Sequence, residues 1–468
     1  MKYELVIKNG TIVTEQGETA NDIAVSGGKI AGLGARGKFR GAREIDAEGM
    51  LVLPGGIDTH VHFNEPGMSE WEDWRHGSAA AAAGGVTTVV DMPVDNVPPT
   101  IDAQTFLSKK EVAVSKSLVD FCLWGGLTRD SLPTLHEMSD CGAVGWKAFM
   151  AADCSGPYFP PADDATLYEG MRIAAKIGLP VALHCENAAM IDFYTRQYRS
   201  GGKFDNAAWS KVRPLIGELE AVNRVLYFAL LTGARINIAH ISAPEVAGFA
   251  SEAKKTGLSV TVETCAHYLL FNEDDVMDRG SILKCAPPIR GKDAQDGLWE
   301  NIKNGGVDFV ASDHSPVSAD LKARHADDMD RASSGVSGVQ FPLNVLFSEG
   351  VRKRDLSLSR LTSVFSANAA RMLGIYGTKG AIAEDFDADF VLFDPGEVWT
   401  VTEDDYKAKV KISPYIGETF TGRVTATYVR GVCVHGKDRE DVKKGFAKML
   451  RPLDERRAGS AAKPREGL

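Results

Sequence analysis

Ile57-Asp58-Thr59-His60-Val61-His62-Phe63 decides how the rest of this chain is read. An apolar run, Met50 to Ile57, has the pattern of a buried strand and leads straight into two histidines one residue apart. Side chains alternate faces along a strand, so His60 and His62 point the same way. Two imidazoles converging at a strand end suit one transition-metal ion, and equally a structural role in hydrogen bonds or on a solvated face. The pair alone leaves both open.

Downstream of Pro54, apolar strand-like runs alternate with helical stretches. Eight runs stand out: Ile57 to Phe63, Thr87 to Met92, Asp120 to Leu127, Gly142 to Met150, Pro180 to Cys185, Arg235 to Ile241, Ser259 to Thr264 and Asp308 to Ser312. Helices are expected between them, at Gly77 to Ala83 with Gly84-Gly85 as the stop signal, Leu167 to Lys176 and Gly217 to Leu231. Near-continuous apolar strands in eight β/α units predict an α/β protein with a (β/α)8 TIM barrel over residues 54–375. Residues 1–53 read instead as short alternating strands (Tyr3 to Lys8, Thr11 to Val13, Asp22 to Ser26, Lys29 to Gly32). That rhythm returns after residue 376, at Phe390 to Phe393, Val398 to Thr402, Val424 to Val429 and Val432 to Val434, with Asp387-Ala388-Asp389 fitting a hairpin. Residues 1–53 and 376–450 are therefore expected to build one small β-sandwich domain that the barrel interrupts. Residues 451–468 form a polar tail, loosely ordered or a subunit contact.

Composition narrows the class. The 468 residues exceed one ordinary domain, and 44% hydrophobic content supports a large core. A net charge of -10 argues against nucleic acid or an anionic membrane as main partner. No apolar run approaches the roughly 20 residues of a membrane span, and the first residues lack a signal-peptide pattern. Seven cysteines, odd in number and without CxxC, read as reduced thiols in a cytoplasmic protein.

In such a barrel the catalytic groups stand at the C-terminal ends of strands. The first run ends in His60 and His62, the fifth in His184, the sixth in His240 and the eighth in Asp313. Four histidines and an aspartate on one rim make a metal site the expected reading. The fourth run carries Lys147, whose ammonium cannot ligate a metal; it reads either as an amine made nucleophilic by burial or as the partner of a nearby carboxylate.

Asp58 to Gly67 resembles the first metal motif of the cyclic amidohydrolases (dihydroorotase, hydantoinase and allantoinase), and Gly84 to Pro93 is similarly family-like. The resemblance covers essentially the whole barrel and its β-sandwich flanks. It implies that Lys147 is carboxylated by carbon dioxide and bridges two divalent ions, zinc foremost, with cobalt, manganese, iron and nickel also suited. It implies that His60, His62 and Asp313 hold one ion and His184 and His240 the other. The ions would activate water and polarise the ring carbonyl, while Asp313 acts as general base and then general acid. Cys154, Cys185 and Cys285 are expected to pack or line the site and not to attack.

Within the family the wording resembles the allantoinase branch. Hydantoinases carry a tyrosine five residues past the bridging lysine, where this chain has Ala152, and dihydroorotases carry an arginine where it has Asn64. Trp71 to Trp74, Asp91 to Pro93, Lys147 to Met150, Glu263 to Tyr268, Cys285 to Arg290 and Gly335 to Gln340 carry the likeness. The stretch from Ala151 to Gly156 departs from it. The implied reaction opens allantoin to allantoate, in a homo-oligomer (tetramer or dimer). Dihydroorotase or hydantoinase activity is the alternative. A non-catalytic scaffold, as in the dihydropyrimidinase-related proteins of animals, is the alternative of another class; those have lost metal ligands, whereas all six positions are filled here. Substrate contacts are expected from Asn64, Ser155, Gly156, Cys285, Ala286, Ser334 and Gly335, although the glycine loop from Gly335 to Gly338 also reads as a plain tight turn. His314 is expected to face away from the cluster and His267 to lie near the mouth. Trp71 and Trp74 read as loop packing, and Arg290 as a loop ion-pair partner.

Overall fold

A computed structural model describes residues 2–151, 159–202 and 204–453. The chain opens with seven strands: β1 (Tyr3–Lys8), β2 (Thr11–Thr14), β3 (Gly17–Thr19), β4 (Asn21–Ser26), β5 (Lys29–Ala35), β6 (Gly41–Asp46) and β7 (Leu51–Pro54). Alternation along β5 puts Ile30, Gly32 and Gly34 inside and Lys29, Ala31 and Ala35 in solvent, the period-two pattern of a one-sided sheet. The barrel strands are β8 (Gly56–Val61), β9 (Val86–Asp91), β10 (Asp120–Leu123), β11 (Gly125–Gly126), β12 (Trp146–Phe149), β13 (Val181–His184), β14 (Ile236–Ile238), β15 (Val260–Cys265) and β16 (Phe309–Ala311). Three strands close the chain: β17 (Phe390–Thr400), β18 (Thr419–Val429) and β19 (Val432–Gly436).

Two sheets lie outside the barrel, the first built from N-terminal strands alone and the second from both ends of the sequence. One has the order β5-β4-β1-β6, the other β19-β18-β17-β7-β2-β3. β7 and β17 join antiparallel, Val52 opposite Leu392. Leu5, Ile7, Ile23, Val25, Val52, Phe390 and Tyr428 share one buried cluster, so residues far apart in sequence bury one another.

The barrel strands run parallel, and every residue in them is buried except the half-buried Thr261. Burial on both faces is why they read as unbroken apolar runs. The third strand is in two pieces: β10 pairs with β9, and after Trp124 β11 pairs with β12. The last seam is narrow. Val61 bridges His314, and the His62 N–H donates to the His314 carbonyl at 2.8 Å.

The run Met50 to Ile57 is two strands, contrary to expectation. β7 belongs to the outer sheet and β8 to the barrel, and Gly55 lies between them. A Cβ at Gly55 would stand 2.1 Å from Thr87 Oγ1, so only glycine lets the chain cross there. Likewise Phe390 to Phe393 and Val398 to Thr402 are one strand, β17, with a register shift between Asp394 and Val398.

Asp387-Ala388-Asp389, expected in a hairpin, carries an ion-pair network instead. Lys379, buried, reaches Asp120 at 2.6 Å, Asp389 at 2.7 Å and Asp387 at 3.0 Å, and Arg430 also meets Asp120. Asp120 begins β10 and Asp389 immediately precedes β17, so one lysine ties the barrel to the outer sheet. Burial works against its charge, but the carboxylates outweigh that and raise its pKa above the ordinary lysine value. Lys379→Met leaves the three carboxylates to Arg430 and to the half-exposed Lys29, which stands 3.2 Å from Asp387, and is expected to lower stability by about 3–5 kcal/mol, read from urea unfolding. A loss below about 1 kcal/mol would show that this network does not hold the two parts together.

Of the polar tail, Arg451 donates to the carbonyls of Asp140 and Cys141, and the Leu453 N–H donates to Gly374. Residues 454–468 lie outside the described residues.

Candidate metal centre and substrate cavity

His60 is the fifth residue of β8, and His62 follows the strand's end. Their Nε2 atoms stand 3.2 and 3.4 Å from one oxygen, Asp313 Oδ1. Asp313 lies two residues past β16 and His240 two past β14. Both take left-handed backbone angles, φ 46° and 37°. Non-glycine residues there store of order 1–3 kcal/mol of strain, which clusters at functional sites. His184, the last residue of β13, places Nδ1 3.1 Å from His240 Nε2. Lys147 on β12 is fully buried, its Nζ 3.4 Å from His60 Nε2 and 4.9 Å from the centre of the Phe149 ring. The five strand-end groups and the lysine therefore come together.

Carboxylates stand behind the imidazoles. Glu263 Oε1 is 2.8 Å from His60 Nδ1, and its other oxygen accepts from Thr59 Oγ1 at 2.8 Å and Asn237 Nδ2 at 3.2 Å. Glu186 Oε2 is 2.8 Å from His184 Nε2 and is paired with the buried Arg213. Asp95 Oδ2 is 2.9 Å from His62 Nδ1. The sequence reading gave none of these three carboxylates a role.

Burial first, and the Lys147 charge second, lower the pKa values of His60, His184 and His240; that of His184 falls to about 3. These rings are neutral at pH 7 and keep a lone pair to donate. Burial also disfavours charge on Asp313, but the surrounding imidazoles, His60 foremost, hold it well below the ordinary carboxylate range. Burial lowers the Lys147 amine as well, against the pull of Glu263 and Asp313.

This donor set fits divalent ions. The ligand atoms of His60, His62 and Asp313 all lie within 4.8 Å of one another. His240 Nδ1 is buried with no hydrogen-bond partner among the described residues. Imidazole nitrogen and carboxylate oxygen suit zinc and its first-row neighbours. A second group, Cys265, His267 and Asp313, shares the aspartate. His267, expected near the mouth, is fully buried there. His314 is off the cluster: its Nδ1 accepts from the Gly338 N–H at 3.1 Å, and its Nε2 lies 3.4 Å from Glu72.

A cavity of about 250 Å³ opens over the cluster. Cys285, Ala286, Ser334 and Gly335 line it as expected, and so do Trp71, Phe149 and Asp95. Trp71 and Trp74 were expected to pack in a loop; Trp71 is on the cavity wall instead, and Trp74 is the buried first residue of a helix, edge-on to Phe63 at 5.1 Å. Asn64 is not on the cavity wall. Its side chain is buried and donates to the Asp95 carbonyl at 3.0 Å. Ser155 and Gly156 lie outside the described residues, as do Ala152 and Cys154. Burial pushes the Cys285 thiol up to about 12, which leaves it inert as a nucleophile. Gly335 has φ 124°, and a Cβ there would stand 2.2 Å from the Ser315 carbonyl oxygen, so the turn and the cavity wall are one feature. Arg290 bonds Ser242, Glu218 and the Arg213 carbonyl.

The sequence profile of the Amidohydrolase family matches residues 51–434, which takes in every group of this cluster. The chain belongs to the amidohydrolase family. This amidohydrolase is 42% identical over 92% of its length to a protein from Rubrobacter xylanophilus named allantoinase, covering 93% of that protein. It is 40% identical over 98% of its length to a Solibacter usitatus protein of the same name, covering all of it. Among solved structures it is similar to the L-hydantoinase (dihydropyrimidinase) of Arthrobacter aurescens, with a TM-score of 0.93 and 33% identity, covering 96% of this chain and 100% of that one.

Proposed function

We propose that this amidohydrolase opens the cyclic amide of allantoin to give allantoate. The observation that carries the reading is 40–42% identity over at least 92% of the chain to proteins named allantoinase. The cavity supports it. Among the described lining residues there is no lysine or arginine, so nothing clamps a substrate carboxylate as dihydroorotate requires. Neutral groups at Ser334, Gly335, Cys285 and Ala286 suit a ring imide and a ureido group.

His60, His62 and Asp313 would hold one divalent ion and His184 and His240 a second, with Lys147 between them as a carbamate. The amine of Lys147, with its pKa lowered by burial, adds to carbon dioxide and releases a proton, converting a misplaced cation into an anionic ligand. Two ions, zinc by preference, supply Lewis-acid activation of water and of the ring carbonyl when bound. Asp313 takes the proton of the attacking water and delivers it to the ring nitrogen that leaves. Glu263 and Glu186 fix the orientation of His60 and His184.

No helix among the described residues is long and apolar enough to cross a membrane. The working form is proposed as a cytoplasmic homo-oligomer, a tetramer or dimer, for which exposed Phe193, Ile216 and Tyr227 supply apolar contact surface.

The test is a side-by-side assay with allantoin, dihydroorotate, hydantoin and dihydrouracil. The highest kcat/KM is expected for allantoin; a higher value for any of the others overturns the substrate assignment.

A further inference from the structure

His60 and His62 each face a carboxylate at Nδ1, but not alike: Glu263 hydrogen-bonds His60 at 2.8 Å, whereas Asp95 stands 2.9 Å from His62 Nδ1 without the alignment of a hydrogen bond. Glu263 meets His60 from inside the barrel with its side chain 1% exposed, whereas Asp95 meets His62 from the cavity wall at 33%. Asp95 is also held with unusual care. It has φ 62°, a left-handed angle that aspartate tolerates better than most residues. The Asn64 amide donates to its carbonyl at 3.0 Å, and the Val97 N–H donates to the Pro66 carbonyl at 2.9 Å. A Cβ at Gly67 would stand 2.1 Å from the Val97 carbonyl oxygen, so the two segments touch backbone to backbone. On the other side buried Lys109 donates to the Met92 carbonyl at 2.5 Å and to Asn96 Oδ1 at 3.0 Å. The loop after β9 is thus stitched to the loop that follows His62, which fixes the backbone that carries the carboxylate beside the imidazole.

We propose that Asp95 is a positioning residue for His62: from 2.9 Å a small rotation lets its carboxylate accept the Nδ1 proton, which fixes the tautomer and leaves the Nε2 lone pair aimed at the metal position beside Asp313. A carboxylate behind a metal-binding imidazole sets ring orientation and raises ligand basicity. Asn64 acts one step further back, by holding the Asp95 backbone, which accounts for an asparagine that is buried and off the cavity wall. The inference rests on the metal-centre reading and not on the choice of substrate.

The test uses the full chain, stripped of metal and titrated with zinc against a chromogenic chelator, as wild type, Asp95→Asn and Asp95→Ala, with circular dichroism to confirm a common fold. Asp95→Ala is expected to lose about 10–100-fold in zinc affinity. Asp95→Asn keeps an accepting oxygen in the same place and is expected to recover most of that loss. Should Asp95→Ala not fold, Asp95→Ser supplies the shortened side chain. Wild-type affinity in the shortened variant, or an asparagine variant that binds zinc no better than it, overturns the proposal. Zinc affinity is read without substrate, so this result and the allantoin assay fail independently.

Discussion

Asp313→Asn is expected to reduce kcat on allantoin by about 10³-fold or more while the protein stays folded. The aspartate is asked to do two things at one place. Oδ1 lies within 3.4 Å of both His60 and His62, so it would help define the metal position, and its ionised carboxylate is the base proposed to take the proton of water. General acid-base catalysis alone contributes about 10²–10⁴-fold. Asparagine is the informative replacement. It keeps the shape, and it tolerates the left-handed backbone that Asp313 adopts, so a large loss reports chemistry and not strain. The measurement is kcat with zinc in excess, alongside a melting curve. Activity within a few-fold of wild type removes Asp313 from the role of base.

Lys147→Ala is expected to yield a protein that folds, holds less than the wild-type complement of metal and turns over no allantoin until a short carboxylic acid is added. The side chain is sealed among His60, Phe149 and the neighbouring strands, so truncation leaves a space that a small carboxylate can enter. Such an anion replaces the charge and the two oxygens that a carbamate offers. The lysine as an ammonium makes no sense among ligands: its charge lowers the pKa values of three surrounding histidines and would repel a cation. Elemental analysis with and without added acetate or propionate checks this. Two metals per chain in the unrescued variant contradict the bridging role.

The candidate cluster was legible because His60, His62, His184, His240 and Asp313 stand at or just past the ends of strands buried on both faces. His184 and His240 follow apolar runs too short and too continuous to be helices, and the barrel order then puts their ends on one rim. The supporting carboxylates were not legible. Glu263 lies 203 residues from His60 in sequence, and nothing local in Val262-Glu263-Thr264 says which imidazole it faces. Asn64 was assigned to substrate from its place in the motif, yet its contact is the backbone of a loop 31 residues away. The outer sheet was half readable. β5 alternates cleanly, but β6 is half exposed and has no apolar run to mark it. The break at Gly55 was hidden because β7 and β8 are both apolar, and only the contact with Thr87 shows why a glycine must stand between them.

The most direct test of a metal-dependent allantoin hydrolase is turnover of allantoin by the purified protein as isolated, after exhaustive chelation, and after zinc is restored. Turnover that disappears with the metal and returns with it is predicted. Undiminished turnover by metal-free protein, or none of allantoin at any metal loading, contradicts the account.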